Sequence, residues 1–167
     1  MAAIRKENAS VERVRELLDY NPDTGVLRWK MSRGQARAGD VAGCITNKGY
    51  RYVAIDGKFY RSARLAWLLS YGVWPTREVD HMDRDRSNDA LVNLRLASSE
   101  QNKWNSSLRY DNKSGCRGVH HVVSRGVWRA QIVVNYKTIN LGEFRDKEHA
   151  AAARRIAAAC LHGEFAA

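Results

Sequence analysis

Hydrophobic and polar residues alternate with two different periods in the N-terminal half of the chain. Apolar residues at helical spacing over positions 11–18, behind the N-cap residue Ser10, predict a short amphipathic helix. A second apolar stripe over residues 63–71 predicts another helix. Residues 49–62 alternate around an Asp56-Gly57 turn, which predicts a small antiparallel sheet. We expect the second helix to pack on that sheet.

The C-terminal half shows three short strand patterns followed by an alanine-rich helix. The strand candidates are residues 116–123, 127–134 and 137–141. Asp146 is placed to cap a helix over residues 147–161, whose predicted packing face consists of Ala150, Ala153, Ala157 and Leu161. The pattern predicts an α+β protein.

Composition and charge restrict the partners of this protein. The 167 residues carry a formal net charge of +10, with a sequence pI near 9.9, so the long-range field attracts polyanions such as nucleic acid. The alternative is that the basic excess only maintains solubility. No apolar run approaches the roughly 18 residues needed to cross a bilayer, and the first ten residues lack an apolar signal core, so we expect an intracellular protein.

Three widely spaced cysteines, Cys44, Cys116 and Cys160, form no CxxC pair. They predict neither a disulfide framework nor a structural zinc site.

The charge is divided into blocks. Residues 24–77 hold ten Lys and Arg and two acids, and residues 101–142 hold seven and one. Residues 78–100 between them hold three Lys and Arg and six acids. The two basic blocks are therefore candidate DNA surfaces, and the acidic block is the candidate site for a metal.

The acidic block contains a spaced polar array. Asp80 and His81 lie on a predicted strand, Asn93 is 12 residues after His81 at the start of another strand, and Asn102 is 21 residues after it. Ser98 and Gln101 form a capping box that predicts a helix containing Asn102. A calcium loop starting at residue 83 is disfavoured, since its sixth position is not Gly and its twelfth is not Glu. Each polar residue alone is typical of a turn or cap, but together they predict a site built on strand, loop, strand and helix.

This array resembles the ββα-metal core of HNH endonucleases, particularly the phage homing type. The resemblance implies that His81 is the general base, that Asp80 and Asn102 bind Mg²⁺ or Mn²⁺, and that Asn93 accepts a hydrogen bond from His81 Nδ1 so that Nε2 takes the proton. Relatives usually read HRLAW ahead of the core, whereas here Ala63 stands in place of the His. That difference is either natural divergence or a deliberate replacement that slows cleavage. Arg64 is a candidate phosphate contact.

The C-terminal pattern SGCRGVHH, VWRAQIVV and KTINLGEF, followed by the alanine-rich helix, resembles the Apetala/ethylene-response-factor type of DNA-binding domain. In that family the sheet lies in the major groove. Alternation along the second strand places Arg129 and Gln131 on one face, opposite Trp128, Ala130 and Ile132. The expected DNA contacts are Arg117, His120, Arg125, Arg129, Gln131 and Lys137.

We therefore expect an HNH nuclease domain over residues 1–105 with its metal core at 78–105, a linker at 106–113, and a DNA-binding domain at 114–167. The predicted function is a site-recognising endonuclease that nicks double-stranded DNA as a monomer, in the cytoplasm of a bacterial or phage-infected cell. The alternative is a DNA-binding regulator or architectural protein with an inactive nuclease core. RNA binding is a minor alternative, because the sequence lacks the aromatic platform motif of common single-strand modules.

Overall fold

The computed structural model describes residues 9–166 as a mixture of helices and small antiparallel sheets, which confirms the expected α+β class. The elements follow the chain in this order: α1 (Val11–Leu17), β1 (Leu18–Tyr20), β2 (Leu27–Trp29), β3 (Cys44–Ile45), β4 (Arg51–Ile55), β5 (Lys58–Arg61), α2 (Ser62–Tyr71), β6 (Glu78–His81), β7 (Leu94–Ala97), α3 (Ser99–Trp104), β8 (Val119–Val122), β9 (Val127–Val134), β10 (Lys137–Phe144) and α4 (Lys147–His162). Short 3₁₀ turns precede β7, follow β8 and follow α4.

The chain divides into two compact units, Met1–Ala97 and Ser98–Ala167. The division falls inside the predicted metal core of residues 78–105. The antiparallel ribbon of β6 and β7 belongs to the first unit, and α3 belongs to the second.

In the first unit, α1 and α2 pack with the β3-β4-β5 sheet around one apolar core. Val53 and Ile55 alternate inward along β4, and the Asp56-Gly57 turn that joins β4 to β5 takes positive φ at both residues, as the sequence predicts. The buried core consists of Val14, Leu17, Leu18, Leu27, Trp29, Ala42, Val53, Ile55, Tyr60, Leu65 and Leu68.

The first helix ends earlier than its apolar period predicts. Leu18 is extended and pairs with Trp29, so residues 18–20 form β1 against β2. Three residues are too few to show a strand period, and the pairing is made with a segment farther along the chain. The chain therefore turns into a strand at the point where the helical pattern still continues.

In the second unit, α4 packs on one face of the β8-β9-β10 sheet. The predicted capping box of Ser98 and Gln101 is present at the start of α3, and Asp146 caps α4 as expected. The buried face of α4 differs from the predicted one, since only Ala150 belongs to both. Its buried residues are Ala150, Ala151, Arg154, Ala158 and His162.

Arg154 occupies this face because Gly118 makes room for it. A Cβ on Gly118 would lie 3.0 Å from Arg154 Nε and 2.2 Å from the carbonyl oxygen of Gln131. Burial lowers the pKa of Arg154, with the charge of Arg117 adding to the effect. A hydrophobic period alone would not place an arginine here.

No helix among residues 9–166 is both long enough and apolar enough to cross a membrane.

Candidate functional site

A buried pair of an imidazole and a carboxylate lies at the end of β6. His81 is 5% exposed and Asp89 is 1% exposed, and Nε2 of His81 lies 2.9 Å from Oδ1 of Asp89. The hydroxyl of Ser62, the first residue of α2, donates a hydrogen bond to the other carboxylate oxygen. A carboxylate only accepts hydrogen bonds, so Nε2 carries the proton, and the lone pair of the neutral ring is at Nδ1.

The position of Asp89 is set by the turn that follows β1. The Tyr20 hydroxyl donates to the carbonyl of Asp89 at 2.8 Å, and the N–H of Leu91 donates to the carbonyl of Pro22 at 2.8 Å. Burial raises the pKa of Tyr20 to about 12, with the Asp89 charge adding to it, so the hydroxyl stays a donor. Gly25 has φ +73°, and a Cβ there would lie 2.3 Å from the N of Ala90. The turn therefore holds the backbone of Asp89 in place.

Asn93 does not make the hydrogen bond expected from the resemblance. Its Oδ1 accepts from the N–H of Asp83 at 3.0 Å, and its Nδ2 donates to Asp83 Oδ1 at 2.9 Å and to the carbonyl of Asn88 at 2.8 Å. The expected bond from His81 Nδ1 to Asn93 and the expected tautomer are therefore wrong. Asn93 holds the loop that leads into Asp89, and the carboxylate of Asp89 bonds His81.

The acidic loop after β6 uses its carboxylates internally. Burial raises the pKa of Asp83, but hydrogen bonds from Asn88 and Asn93 outweigh burial and lower it. A hydrogen bond from the Ser87 hydroxyl lowers the pKa of Asp85. These groups stay ionised and hold the loop closed.

Asp80 is buried and forms an ion pair with Arg95. It is 5% exposed, and its Oδ2 accepts from Arg95 Nε at 3.0 Å, directly across the β6–β7 ribbon. Since side chains alternate along a strand, Asp80 and His81 leave opposite faces of β6. Asn102 lies on α3, in the second unit.

Asp80 and Asn102 are the two residues that the resemblance assigns to a metal. Within residues 9–166 no three His, Cys, Asp or Glu side chains come together as a metal site. A carboxylate and an amide oxygen are hard donors, and such a set fits Mg²⁺, which keeps several of its waters.

Ala63 lies in an apolar environment. It is 5% exposed and packs with Ala66 and Leu94, with Tyr20 and Val79 at the edge of the cluster. No proton-transfer group occupies this position of α2.

Arg64, next in the chain, is held by backbone carbonyls. It donates to those of Arg77 and Pro75 at 3.2 and 3.4 Å, and its guanidinium lies over the ring of Trp74. Arg64 therefore also anchors the segment that follows α2, through the backbone of Pro75 and Arg77.

The outer face of the second unit's sheet carries both charge signs. His120 pairs with Arg129 across β8 and β9, and Arg129 pairs with Glu143 across β9 and β10, so all three share one face. Glu143 accepts hydrogen bonds from Arg129 Nη2 at 2.7 Å and from Arg125. Hydrogen bonding from Arg129 lowers the pKa of Glu143 despite some burial, and the Arg125 charge lowers it further. Gln131 follows on the same face of β9.

Two of the six predicted DNA contacts have a different environment from the one expected. Lys137 pairs with Val134, so its register places it on the face that α4 covers, opposite to Arg129. Arg117 donates to the carbonyls of Lys103 and Ser107 at 3.2 Å each, and so binds the segment at the end of α3.

Sequence reasoning missed Asp89, Arg95 and Glu143. Asp89 is one of six acids in its block, and nothing in the spacing separates it from the loop acids. Its burial and its two side-chain hydrogen-bonding partners distinguish it only in the folded chain.

Comparison with known proteins finds relatives of the segment that contains this site. A family model described as HNH endonuclease matches residues 61–103, which include Ser62, His81 and Asp89. The chain is 34% identical to Protein 3.8 of Escherichia phage T7 over 113 residues, which are 65% of this chain and 93% of the phage protein. It is 37% identical to the uncharacterized HNH endonuclease L560 of Acanthamoeba polyphaga mimivirus over 89 residues, which are 53% of this chain and 45% of the viral protein. The chain therefore contains an HNH endonuclease domain at residues 61–103 and belongs to the same family as the phage Protein 3.8.

Proposed function

We propose that this protein hydrolyses phosphodiester bonds in double-stranded DNA, with His81 as the general base. The observation that carries the proposal is the buried His81–Asp89 pair inside the segment that matches the HNH family. A carboxylate that accepts from one nitrogen of a neutral imidazole keeps the lone pair on the other nitrogen. In this reading Nδ1 of His81 takes the proton of the attacking water.

Asp89 acts as the positioning residue in this mechanism. Its two oxygens bind Nε2 of His81 and the hydroxyl of Ser62, so the ring has one orientation and one tautomer. When Nδ1 accepts a proton, the adjacent carboxylate stabilises the imidazolium. Asn93 contributes indirectly, because it holds Asn88 and thereby the residue next to it.

Asp80 and Asn102 are the proposed ligands for Mg²⁺ or Mn²⁺. A divalent ion supplies Lewis-acid activation of the phosphate and stabilises the charge on the leaving oxygen. A metal ion at Asp80 would compete with Arg95, which already donates a hydrogen bond to one of the carboxylate oxygens.

The second unit is the proposed DNA reader. Arg125, Arg129, Gln131 and His120 lie on or beside one sheet face, and Arg and Gln there can contact phosphates and base edges. We assign this unit to the Apetala/ethylene-response-factor type of DNA-binding domain. The whole protein would then be a site-recognising, homing-type nuclease that acts inside the cell. One base and one metal imply that a monomer nicks a single strand.

A DNA-binding regulator with an inactive core is the second candidate. Ala63 favours it, because a buried methyl group lies where the resemblance leads us to expect a His. The Asp80–Arg95 pair favours it too, since a cation other than a metal already neutralises the carboxylate.

Incubation of supercoiled plasmid with the protein tests the proposal. Relaxed circles should form with Mg²⁺ or Mn²⁺. Chelation by EDTA should abolish them, and His81→Ala and Asp80→Asn should each strongly slow their formation. Linear plasmid formed without a relaxed intermediate would contradict nicking. If DNA is bound but neither this chain nor its Ala63→His variant cuts it, the regulator is the correct function.

A further inference from the structure

A second group of residues in the first unit, the Tyr50 cluster, consists of Tyr50, Arg61 and Arg86. The guanidinium carbons of Arg61 and Arg86 lie 4.4 and 4.8 Å from the centre of the Tyr50 ring. Tyr50 in turn lies near His81, with ring centres 6.4 Å apart. The three residues come from the turn before β4, the end of β5 and the acidic loop, so only the fold brings them together.

The two positive charges of the cluster have no acidic partner within residues 9–166. Arg61 donates to the hydroxyl of Tyr52 at 3.1 Å, and Arg86 donates to the carbonyl of Lys48 at 2.9 Å. Both arginines are exposed, and contact with one ring keeps their charges within a Debye length of each other, about 10 Å at 0.1 M salt. Like charges at this distance repel, and an anion bound near both would relieve the repulsion.

Stacking on Tyr50 gives these arginines a fixed position. A guanidinium over an aromatic face keeps its N–H groups available at its edge, where they can bind phosphate oxygens in pairs. The carboxylates of the acidic loop accept hydrogen bonds from within that loop, Asp83 from Asn88 and Asn93 and Asp85 from Ser87.

We propose that the Tyr50 cluster is a DNA-backbone site of the nuclease unit, in which Arg61 and Arg86 bind phosphates of the strand that passes His81. The inference rests on the proposed function and adds the residues that hold the substrate beside the base. The contacts are to phosphate, so the cluster contributes affinity without sequence preference.

The test measures DNA binding by the full chain in EDTA, which prevents cleavage. Fluorescence anisotropy with two labelled duplexes of unrelated sequence gives Kd from about 50 to 200 mM salt. Arg61→Ala and Arg86→Ala should each lower the slope of log Kd against log salt by about 0.9, and the double variant by about 1.8, equally on both duplexes. Arg61→Lys and Arg86→Lys keep the charge and should keep the slope.

Arg13→Ala is the matched control. It also removes one positive charge, but Arg13 is paired with Asp56 and Glu16 at the turn end of the β4–β5 hairpin, whereas Arg61 lies at the other end. Its slope should stay that of the wild type. Arg86 is exposed and has one backbone hydrogen bond, so its truncation leaves a folded protein even if the double variant unfolds.

Three results would overturn the proposal. If the double variant keeps the wild-type salt slope, the Tyr50 cluster does not bind DNA, and the proposed nuclease function is not affected. If Arg13→Ala lowers the salt slope by the same amount, the effect comes from the net charge of the protein and not from the cluster. A wild-type chain that binds neither duplex rejects the cluster and the proposed function together.

Discussion

Replacement of Asp89 by Asn tests the assignment of the His81 tautomer. The amide has nearly the same size as the carboxylate, but it offers one acceptor oxygen where Ser62 and Nε2 of His81 now use two. If the amide oxygen stays with Ser62, its NH₂ faces Nε2 and forces the ring proton onto Nδ1. That is the tautomer in which the proposed base has no lone pair.

The expected magnitude follows from the hydrogen bond that is lost. A hydrogen bond to a charged group contributes about 1.5–3 kcal/mol, and every 1.36 kcal/mol is tenfold in rate, so kcat should fall roughly 10- to 150-fold. DNA affinity measured in EDTA should not change, because Asp89 is 1% exposed and cannot touch the substrate. The substitution should also cost about 1 kcal/mol of stability, since a buried hydrogen bond to a charged carboxylate is replaced by one between neutral groups.

Two assays test the tautomer of His81 and the energetic coupling between His81 and Asp89. In ¹⁵N NMR spectra of the imidazole rings, the His81 signals, assigned by their loss in His81→Ala, should change from the Nε2-protonated to the Nδ1-protonated pattern in Asp89→Asn. In cleavage assays, Asp89→Asn should add no further loss in a His81→Ala background, because the two residues act as one unit.

Ser62→Ala is the matched control for this prediction. It removes the donor to the second oxygen and leaves the His81–Asp89 bond in place, so the Nε2 pattern should persist. An unchanged His81 tautomer in Asp89→Asn, or a full additional rate loss in the His81→Ala background, would refute the reasoning.

Three further predictions follow from burial and charge. Ala63→His introduces a ring into a packed apolar cluster, so it should lower stability by about 1–3 kcal/mol, and an unchanged thermal midpoint would contradict this. Glu143→Gln releases Arg125 and Arg129, so it should tighten DNA binding and steepen its salt slope by about 0.9 to 1.8; weaker binding would show that Glu143 supports the DNA face. Burial lowers the pKa of His162 in the folded state, so its contribution to stability is present above the unfolded pKa of about 6.5 and is lost as pH falls below that value toward the folded pKa. Thermal unfolding at pH values on both sides of 6.5 should show this loss in the wild type, and His162→Gln should reduce it.

The sequence alone determined the local elements of this protein. The capping box at Ser98, the Asp146 cap and the bounds of β9 were predicted because each depends on neighbouring residues and on a short repeat period. The same holds for the strand position of Asp80 and His81. The family resemblance to HNH endonucleases rests on these local spacings, and the comparisons confirm it.

Only the tertiary structure decided which groups meet. Asp89 became the partner of His81 because Tyr20, Pro22 and Gly25, more than sixty residues earlier, hold its backbone in place. The face of Lys137 depended on the β9–β10 register, since opposite residues in an antiparallel pair point the same way. Periodicity along a chain carries no information on contacts between distant segments. The chain thus specifies its helices and strands locally, while long-range packing selects the tautomer of the proposed base and the arginines beside it.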